Sequence, residues 1–147
     1  MGGFPSSVLF ACNFNTVRSP IAESIMKKLF GHIVYVDSAG VRRGILDPFG
    51  VAVMAEIGID LAGHRPKTFD DLLDSSYDLI ISLAPEAHHR AIEMTRTMAC
   101  EVEYWNTLDP TIIQGNRETR IDAYRALRDG LTRKITARFS AGPPPVV

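Results

Sequence analysis

The stretch from Val8 to Pro20, VLFACNFNTVRSP, decides the fold and the chemistry of this chain. It begins as a short apolar run that predicts a β-strand ending at Cys12. Ser19 and Pro20 then carry the signature of a helix start, because serine caps a helix and proline suits its first position. The residues between them form a tight loop, in which Asn15 tolerates a left-handed backbone. The pattern therefore predicts a strand, a loop and a helix in direct succession.

A loop of this kind is suited to hold an anion. Its backbone N–H groups turn inward, and the positive end of the helix dipole faces the same space. Arg18 adds a planar fork of donors that matches a tetrahedral oxyanion. We therefore expect phosphate or another oxyanion to bind the loop residues Asn13, Phe14, Asn15, Thr16, Val17, Arg18 and Ser19.

Cys12 lies at the base of this predicted anion site, where a thiol loses its proton easily. A thiolate that faces a bound phosphate is a nucleophile for phosphorus. The alternative is a buried structural thiol, because cysteine is among the most buried residue types and Cys12 follows an apolar strand. The strand before Cys12 and the helix start after it favour the reactive thiolate.

The composition is that of one folded domain without a strong charge bias. The chain has 147 residues, 46% of them hydrophobic, and a formal net charge of −1, which argues against nucleic acid as a partner. Two cysteines are too few for a disulfide framework and favour the cytoplasm. No apolar run approaches the roughly 20 residues of a membrane span, and the first residues carry no secretory signal. We expect one domain over residues 1–139 and a disordered, proline-rich tail over residues 140–147.

Strands and helices alternate along the chain. Apolar runs predict strands at residues 8–11, 32–37, 77–83 and 100–105. Capping signals and helical spacing predict helices starting near residues 20, 47, 68, 85 and 118. The helix at residue 68 is short and ends at Leu73, and the last is a long amphipathic helix to about residue 139. We expect an α/β fold with a four-stranded parallel sheet in the flavodoxin-like order 2-1-3-4 and helices on both faces. Cys12, Ser38 and Asp109 lie at or after predicted strand ends, where such folds bind ligands.

Two pairs of adjacent residues have ordinary interpretations. Arg42 and Arg43 most simply form solvated surface, and a role at the mouth of the anion site is the alternative. His88 and His89 suggest a metal site at first sight. Neighbouring residues on a helix point apart, however, and no third ligand is evident, so we predict no metal site.

The chain resembles the low-molecular-weight protein tyrosine phosphatases. That family carries the phosphate loop Cys-x5-Arg-Ser after an apolar strand near the N-terminus, followed by Pro-Ile-Ala-Glu. Residues Cys12 to Ser19 and Pro20 to Glu23 match this pattern. Further matches are Asp37-Ser38-Ala39-Gly40, Gly58-Ile59-Asp60 with Gly63-His64, and Asp109-Pro110. The resemblance covers nearly the whole chain except its two tails.

The resemblance implies hydrolysis of a phosphomonoester, either phosphotyrosine in a protein or a small molecule, through a phosphocysteine. Cys12 is the implied nucleophile, and Arg18 with the loop amides stabilises the charge on the phosphoryl oxygens. Asp109 is the implied acid that protonates the leaving group and the base that then activates water. A plain turn aspartate before proline is the alternative for Asp109. The family needs no metal or organic cofactor.

The resemblance also implies a supporting set around the loop. Ser19 would donate to the thiolate and steady it as a leaving group in the second step. Asn15 would prop the loop together with Ser38.

This chain departs from the family pattern at three places. Phe14 stands where a glycine is usual, which would alter the loop or cover the site. Val17 replaces a second loop cysteine that often protects the first from over-oxidation. Residues 111–113, Thr-Ile-Ile, follow Asp109-Pro110 in place of the frequent aromatic residue that grips a substrate ring.

Two other functions stay open at this point. A related arsenate reductase uses the same anion loop and passes electrons through further cysteines. Residues 82–87 offer no cysteine where that branch places them, although the region from Tyr104 to the last helix resembles it. A non-catalytic oxyanion-binding regulatory module, with Phe14 blocking the site, is the third possibility.

Overall fold

A parallel sheet forms the centre of the computed structural model, which describes residues 4–72 and 76–140. Its strands are β1 (Ser7–Cys12), β2 (Tyr35–Gly40), β3 (Leu79–Ser82) and β4 (Glu101–Tyr104). They lie in the order β2-β1-β3-β4 with every pairing parallel, which confirms the predicted order. The helices are α1 (Arg18–Phe30), α2 (Pro48–Ala55), α3 (Pro85–Met94) and α4 (Arg117–Arg138). Short 3-10 turns cover Phe69–Asp71 and Pro110–Ile112.

Alternation along β1 divides the interior into two cores, because successive side chains of a strand point to opposite faces. Phe10 and Cys12 face the core that α1, α2 and α4 cover. Leu9 and Ala11 face the smaller core, to which α3 contributes Ala87 and Ala91. All of β1 except its first residue is buried, as expected for a strand with neighbours on both sides.

The strand register brings the candidate residues to one edge of the sheet. Cys12, the last residue of β1, pairs with Gly40, the last residue of β2. Ala11 pairs with Ser82 at the end of β3, and Ser82 pairs with Tyr104 at the end of β4. The loops that follow these four strands therefore share the carboxyl edge of the sheet, where ligands bind in doubly wound folds.

Two predicted boundaries were wrong. Ser19 does not cap α1, because the helix begins at Arg18 and its cap residue, Val17, makes no side-chain hydrogen bond. Residues 32–34 are not part of β2, since the chain after α1 first makes a turn in which Ile33 and Val34 donate to the Phe30 carbonyl. Ser38 consequently lies inside β2 and not in a turn after it.

The remaining differences are small. The predicted short helix at residue 68 is a single 3-10 turn, and its predicted last residue, Leu73, lies outside the described residues. The predicted tail, apart from Ser140, also lies outside them. None of the helices within residues 4–72 and 76–140 is both long enough and apolar enough to cross a membrane.

Candidate active site

The loop between β1 and α1 turns its carbonyl groups outward. Four carbonyl oxygens accept hydrogen bonds from the neighbouring backbone: Cys12 from Val41 N at 3.1 Å, Asn13 from Arg42 N at 2.8 Å, Phe14 from Gly44 N at 3.2 Å and Thr16 from Asp47 N at 3.3 Å. In a trans peptide the N–H points opposite to the C=O, so the N–H groups of residues 13, 14, 15 and 17 face the other side. Within the part of the chain that the structure describes, these four N–H groups have no acceptor. The loop therefore presents free donors to an anion.

Cys12 lies beneath this loop and is held by a side chain of α1. Its Sγ is 2.9 Å from the Ser19 Oγ, and only 2% of the residue is exposed. The Asn15 Nδ2 donates to the same Ser19 Oγ at 2.9 Å. Because that bond occupies an acceptor position of the Ser19 hydroxyl, its own hydrogen is free to point at the sulfur. This orientation suits a thiolate better than a thiol.

Asn15 connects the loop to two other segments. Its φ of 58° places it in the left-handed region, as the sequence predicted. Besides Ser19, its Nδ2 donates to the Ser38 Oγ at 2.9 Å, so the structure brings together the three residues expected to support the loop. Its Oδ1 accepts from the Lys67 backbone N–H at 3.0 Å and lies 2.9 Å from the His64 Nε2. With all four hydrogen-bonding positions used, the Asn15 amide has one orientation.

Glu23 and His64 complete this network, and sequence reasoning assigned neither of them a role. Ser38 donates its hydroxyl hydrogen to the Glu23 Oε1 at 2.5 Å, and the His64 Nδ1 lies 3.9 Å from the same oxygen. Because the Asn15 Oδ1 can only accept, the His64 Nε2 carries the hydrogen. Burial lowers the pKa of His64, and Lys67 lowers it further, against the opposing effect of the Glu23 carboxylate. His64 is therefore neutral at pH 7.

We expect the neutral state of His64 to make the fold sensitive to mild acid. A histidine whose pKa is lower in the folded chain stabilises the fold above its unfolded pKa of about 6.5. The free energy of unfolding therefore falls as the pH drops below about 6.5 towards the lowered folded pKa. The negative charges of Glu23 and Asp37 limit the size of the effect, because they favour the charged form of His64.

Urea unfolding at pH 7.5, 6.5 and 5.5 measures this loss, and His64→Gln should remove most of it. His32→Gln is the matched control, because His32 is an exposed histidine in the turn after α1. An equal loss of stability in the wild type and in His64→Gln would show that other groups cause the acid sensitivity.

Arg18 and Asp109 face each other across the same edge of the sheet. The Arg18 Nη1 donates to the Thr107 carbonyl at 2.9 Å, and its Nη2 lies 4.0 Å from the Asp109 Oδ2. The Asp109 Oδ1 accepts from both the N–H and the hydroxyl of Thr111, at 2.9 and 2.7 Å. One carboxylate oxygen is thus fixed, while Oδ2 stays available beside the guanidinium. With 33% of its side chain exposed, Asp109 is accessible to a substrate.

A second carboxylate, Asp47, connects α4 to the anion loop. The sequence predicted Asp47 as a helix cap, which is confirmed, but not its contact with α4. The Asp47 Oδ2 accepts from the buried Tyr124 hydroxyl at 2.6 Å, while its Oδ1 caps α2 through the Phe49 N–H. Because the Asp47 N–H also binds the Thr16 carbonyl, α4 is linked to the anion loop. Burial raises the pKa of Tyr124, as do Asp47 and Asp109, so the phenol remains a donor.

Four exposed apolar side chains lie in the segments that border the loop. We call them the apolar rim: Phe14 (46% exposed), Ile45 (91%), Leu108 (65%) and Ile112 (64%). Arg42 lies beside Phe14 and forms a two-bond ion pair with Glu86 at the start of α3. Arg43 is paired with Asp71 on the surface.

The two histidines of α3 have different surroundings. The His88 Nδ1 is hydrogen-bonded to the buried Ser82 Oγ at 2.8 Å, and its ring stacks on Tyr104. His89 is exposed and lies near Glu93, one turn further along the helix. Among the described residues, no group of three potential metal ligands is present.

Comparison with known proteins agrees with this geometry. Residues 7–137 match the model of the family described as low molecular weight phosphotyrosine protein phosphatase. An arsenate reductase from Halalkalibacterium halodurans is 30% identical over 135 residues, which cover 92% of this chain and 96% of that protein. An arsenate reductase from Bacillus subtilis is 29% identical, over 87% of this chain and 91% of that protein.

Solved structures show the same fold. A low molecular weight protein tyrosine phosphatase from T. tengcongensis superposes with a TM-score of 0.75 at 25% identity, covering 92% of this chain and 99% of its own. The tyrosine phosphatase AmsI from Erwinia amylovora has a TM-score of 0.75 at 20% identity, covering 95% of both chains. The family match spans both Cys12 and Asp109. With its strand order and anion loop, this chain belongs to the low molecular weight phosphotyrosine protein phosphatase family.

Proposed function

We propose that this chain hydrolyses phosphomonoesters through a phosphocysteine on Cys12. The observation that carries the proposal is the position of the Cys12 Sγ. It receives the Ser19 hydroxyl at 2.9 Å and lies under a loop whose free N–H groups face away from the neighbouring backbone. A buried structural thiol would need none of these donors. They are the groups that stabilise a thiolate and the anion it attacks.

In the first step the Cys12 thiolate attacks phosphorus, and the bond between phosphorus and the ester oxygen breaks. The leaving oxygen takes a proton from Asp109. The proton is carried by Oδ2, because Oδ1 is occupied by its hydrogen bonds with Thr111. Arg18 and the loop amides hold the three equatorial oxygens as negative charge develops on them. The products of this step are an alcohol or phenol and a phosphocysteine.

In the second step a water molecule attacks the phosphocysteine while the Asp109 carboxylate accepts one of its protons. The sulfur–phosphorus bond breaks, and the electron pair returns to Cys12 as a thiolate. Ser19 stabilises that thiolate through its hydroxyl, which Asn15 keeps in orientation. Inorganic phosphate then leaves, and the enzyme returns to its starting state.

Arsenate reduction is a second candidate, since the curated relatives at 30% and 29% identity are named arsenate reductases. Cys100, the other cysteine, cannot form a disulfide with Cys12 in this fold. Cys100 precedes β4 and is level with the start of β1, whereas Cys12 ends β1. The two residues are about 15 Å apart along the strands and about 10 Å apart across them. A disulfide requires Cα atoms within about 7 Å.

An external thiol would therefore have to complete any arsenate cycle. The Cys12 thiolate would attack arsenic, and an arsenic–oxygen bond would break as one hydroxyl leaves, after protonation, as water. The external thiol would then attack the Cys12 sulfur of this adduct. Arsenite would leave with the electron pair and a mixed disulfide would remain, which a second thiol would reduce. This chain supplies only the first sulfur, so we place phosphate ester hydrolysis first.

The proposal extends to the substrate class and the cellular compartment. We infer a phosphorylated protein, with phosphotyrosine as the residue attacked, as the substrate class. Two free cysteines support the cytoplasm as the compartment. A purely regulatory oxyanion-binding role is less well supported, because Phe14 is half exposed and its carbonyl joins the same outward pattern as its neighbours.

Rapid mixing with p-nitrophenyl phosphate tests the proposal. We expect a burst of nitrophenolate of about one equivalent, and acid quenching should trap a phosphoryl group on the Cys12 peptide, detected by mass spectrometry. Parallel incubation with arsenate should yield arsenite only when an external thiol such as glutathione is added. Phosphate binding without a burst or turnover would favour the regulatory role.

A further inference from the structure

We propose that Phe14 is a specificity-determining residue, which contacts an aromatic leaving group and so selects aryl over alkyl phosphomonoesters. This inference rests on the proposed function and names the substrate class more closely. It starts from Phe14, an exposed aromatic residue of the anion loop that lies between Cys12 and Arg18 in the sequence. The other residues of the segment 12–18 are buried or partly buried.

The backbone accommodates Phe14 without strain. Asn15 is the only residue other than glycine with a positive φ among the described residues, so Phe14 occupies an ordinary region. Its carbonyl accepts from the Gly44 N–H at 3.2 Å, like the other outward carbonyls of the loop. The phenylalanine therefore leaves the donor arrangement of the loop intact, and its side chain is what it adds.

Neighbouring residues restrict where the ring lies. Gly44 passes so close that a Cβ there would be 3.2 Å from the Phe14 Cβ and 2.8 Å from the Thr16 Cγ2. The Arg42 guanidinium lies 6.0 Å from the centre of the ring, and its ion pair with Glu86 anchors it to α3. The ring is thus supported beside the segment that follows β2, while 46% of the residue remains exposed.

The rest of the apolar rim offers aliphatic surface only. Ile45, Leu108 and Ile112 are all well exposed. Residues 111–113, which directly follow Asp109-Pro110, include no aromatic residue. Phe14 is therefore the aromatic face available on the anion loop. Contact between two aromatic rings contributes about 0.5–1.5 kcal/mol to binding. This range corresponds to a change in affinity of about threefold to tenfold.

Binding of two phosphonates, which the enzyme cannot hydrolyse, tests the inference directly. Phenylphosphonate should bind the wild type more tightly than methylphosphonate, and Phe14→Leu should weaken phenylphosphonate by about threefold to tenfold. Methylphosphonate and inorganic phosphate should change by less than about twofold, because the donors of the loop are unaffected. Phe14→Tyr should keep the preference. Tyr35→Leu, which removes an exposed ring at the start of β2, is the matched control.

Turnover of phenyl phosphate provides a second readout, in which Phe14→Leu should raise KM and leave kcat unchanged. Equal weakening of both phosphonates would overturn the inference, since Phe14 would then only shape the loop. Tighter binding of phenylphosphonate by Phe14→Leu would also overturn it, because the ring would then be a cover. A phenylphosphonate preference without any turnover would overturn the proposed function alone. Failure of both phosphonates to bind the wild type would overturn the two together.

Discussion

Cys12→Ser is expected to reduce hydrolysis of p-nitrophenyl phosphate to the background rate while inorganic phosphate still binds. A serine hydroxyl at this position would lie near the Ser19 Oγ, which is 2.9 Å from the present sulfur. Unlike a thiol it does not ionise near neutral pH, so the nucleophile is lost. The donors that hold the anion are the loop amides and Arg18, and the substitution leaves them in place. Steady-state rates measure the loss of hydrolysis, and calorimetric titration with inorganic phosphate measures the retained binding.

Cys100→Ser is the matched control for this substitution. Cys100 is partly buried at the amino-terminal end of β4, away from the carboxyl edge of the sheet. Phosphatase activity should stay within about twofold of the wild type. If Cys100→Ser lowered the activity as strongly as Cys12→Ser, the assignment of Cys12 as the single nucleophile would be wrong. A residual wild-type rate in Cys12→Ser would have the same consequence.

The parts of this site that the sequence predicted are the parts that are local in the chain. Cys12, Arg18 and the loop between them lie within a few residues of each other, so spacing alone indicates a strand, an anion loop and a helix. The strand order could also be predicted, because alternating strands and helices with short connections permit few arrangements. The role of Asp109 was predicted from its position after the last predicted strand, together with the family pattern.

The residues of the site that the sequence did not predict have roles that arise from contacts between distant segments of the chain. His64 and Asn15 are 49 residues apart, and Tyr124 and Asp47 are 77 residues apart. No local pattern distinguishes Tyr124 from the other apolar residues of the α4 stripe, since its hydroxyl is significant only because Asp47 faces it. Ser19 was given two roles from the sequence, a helix cap and a donor to the thiolate. The cap was wrong, whereas the structure places the Ser19 hydroxyl between the Asn15 amide and the Cys12 sulfur.

Asp109→Asn is expected to slow turnover by about 10²–10⁴-fold, the usual value of general acid–base catalysis. The amide keeps the shape of the side chain, and its oxygen can still accept from the Thr111 N–H and hydroxyl, so the turn at residues 110–112 should persist. What disappears is the proton for the leaving group. The loss should therefore be larger for phenyl phosphate than for p-nitrophenyl phosphate, because nitrophenolate leaves more readily without protonation. The pH profile of kcat/KM should lose the limb that reports the acid.

Phosphate affinity separates this catalytic role from a structural one. The Asp109 Oδ2 lies 4.0 Å from the Arg18 Nη2 and so competes with an anion for the guanidinium. Removing the charge of Asp109 should leave the inhibition constant for phosphate unchanged or lower it, while kcat falls. Asp70→Asn, which alters an exposed aspartate paired with Arg90, should change neither quantity. If Asp109→Asn weakened phosphate binding in proportion to its loss of activity, the carboxylate would be acting by positioning Arg18, and another group would have to supply the proton.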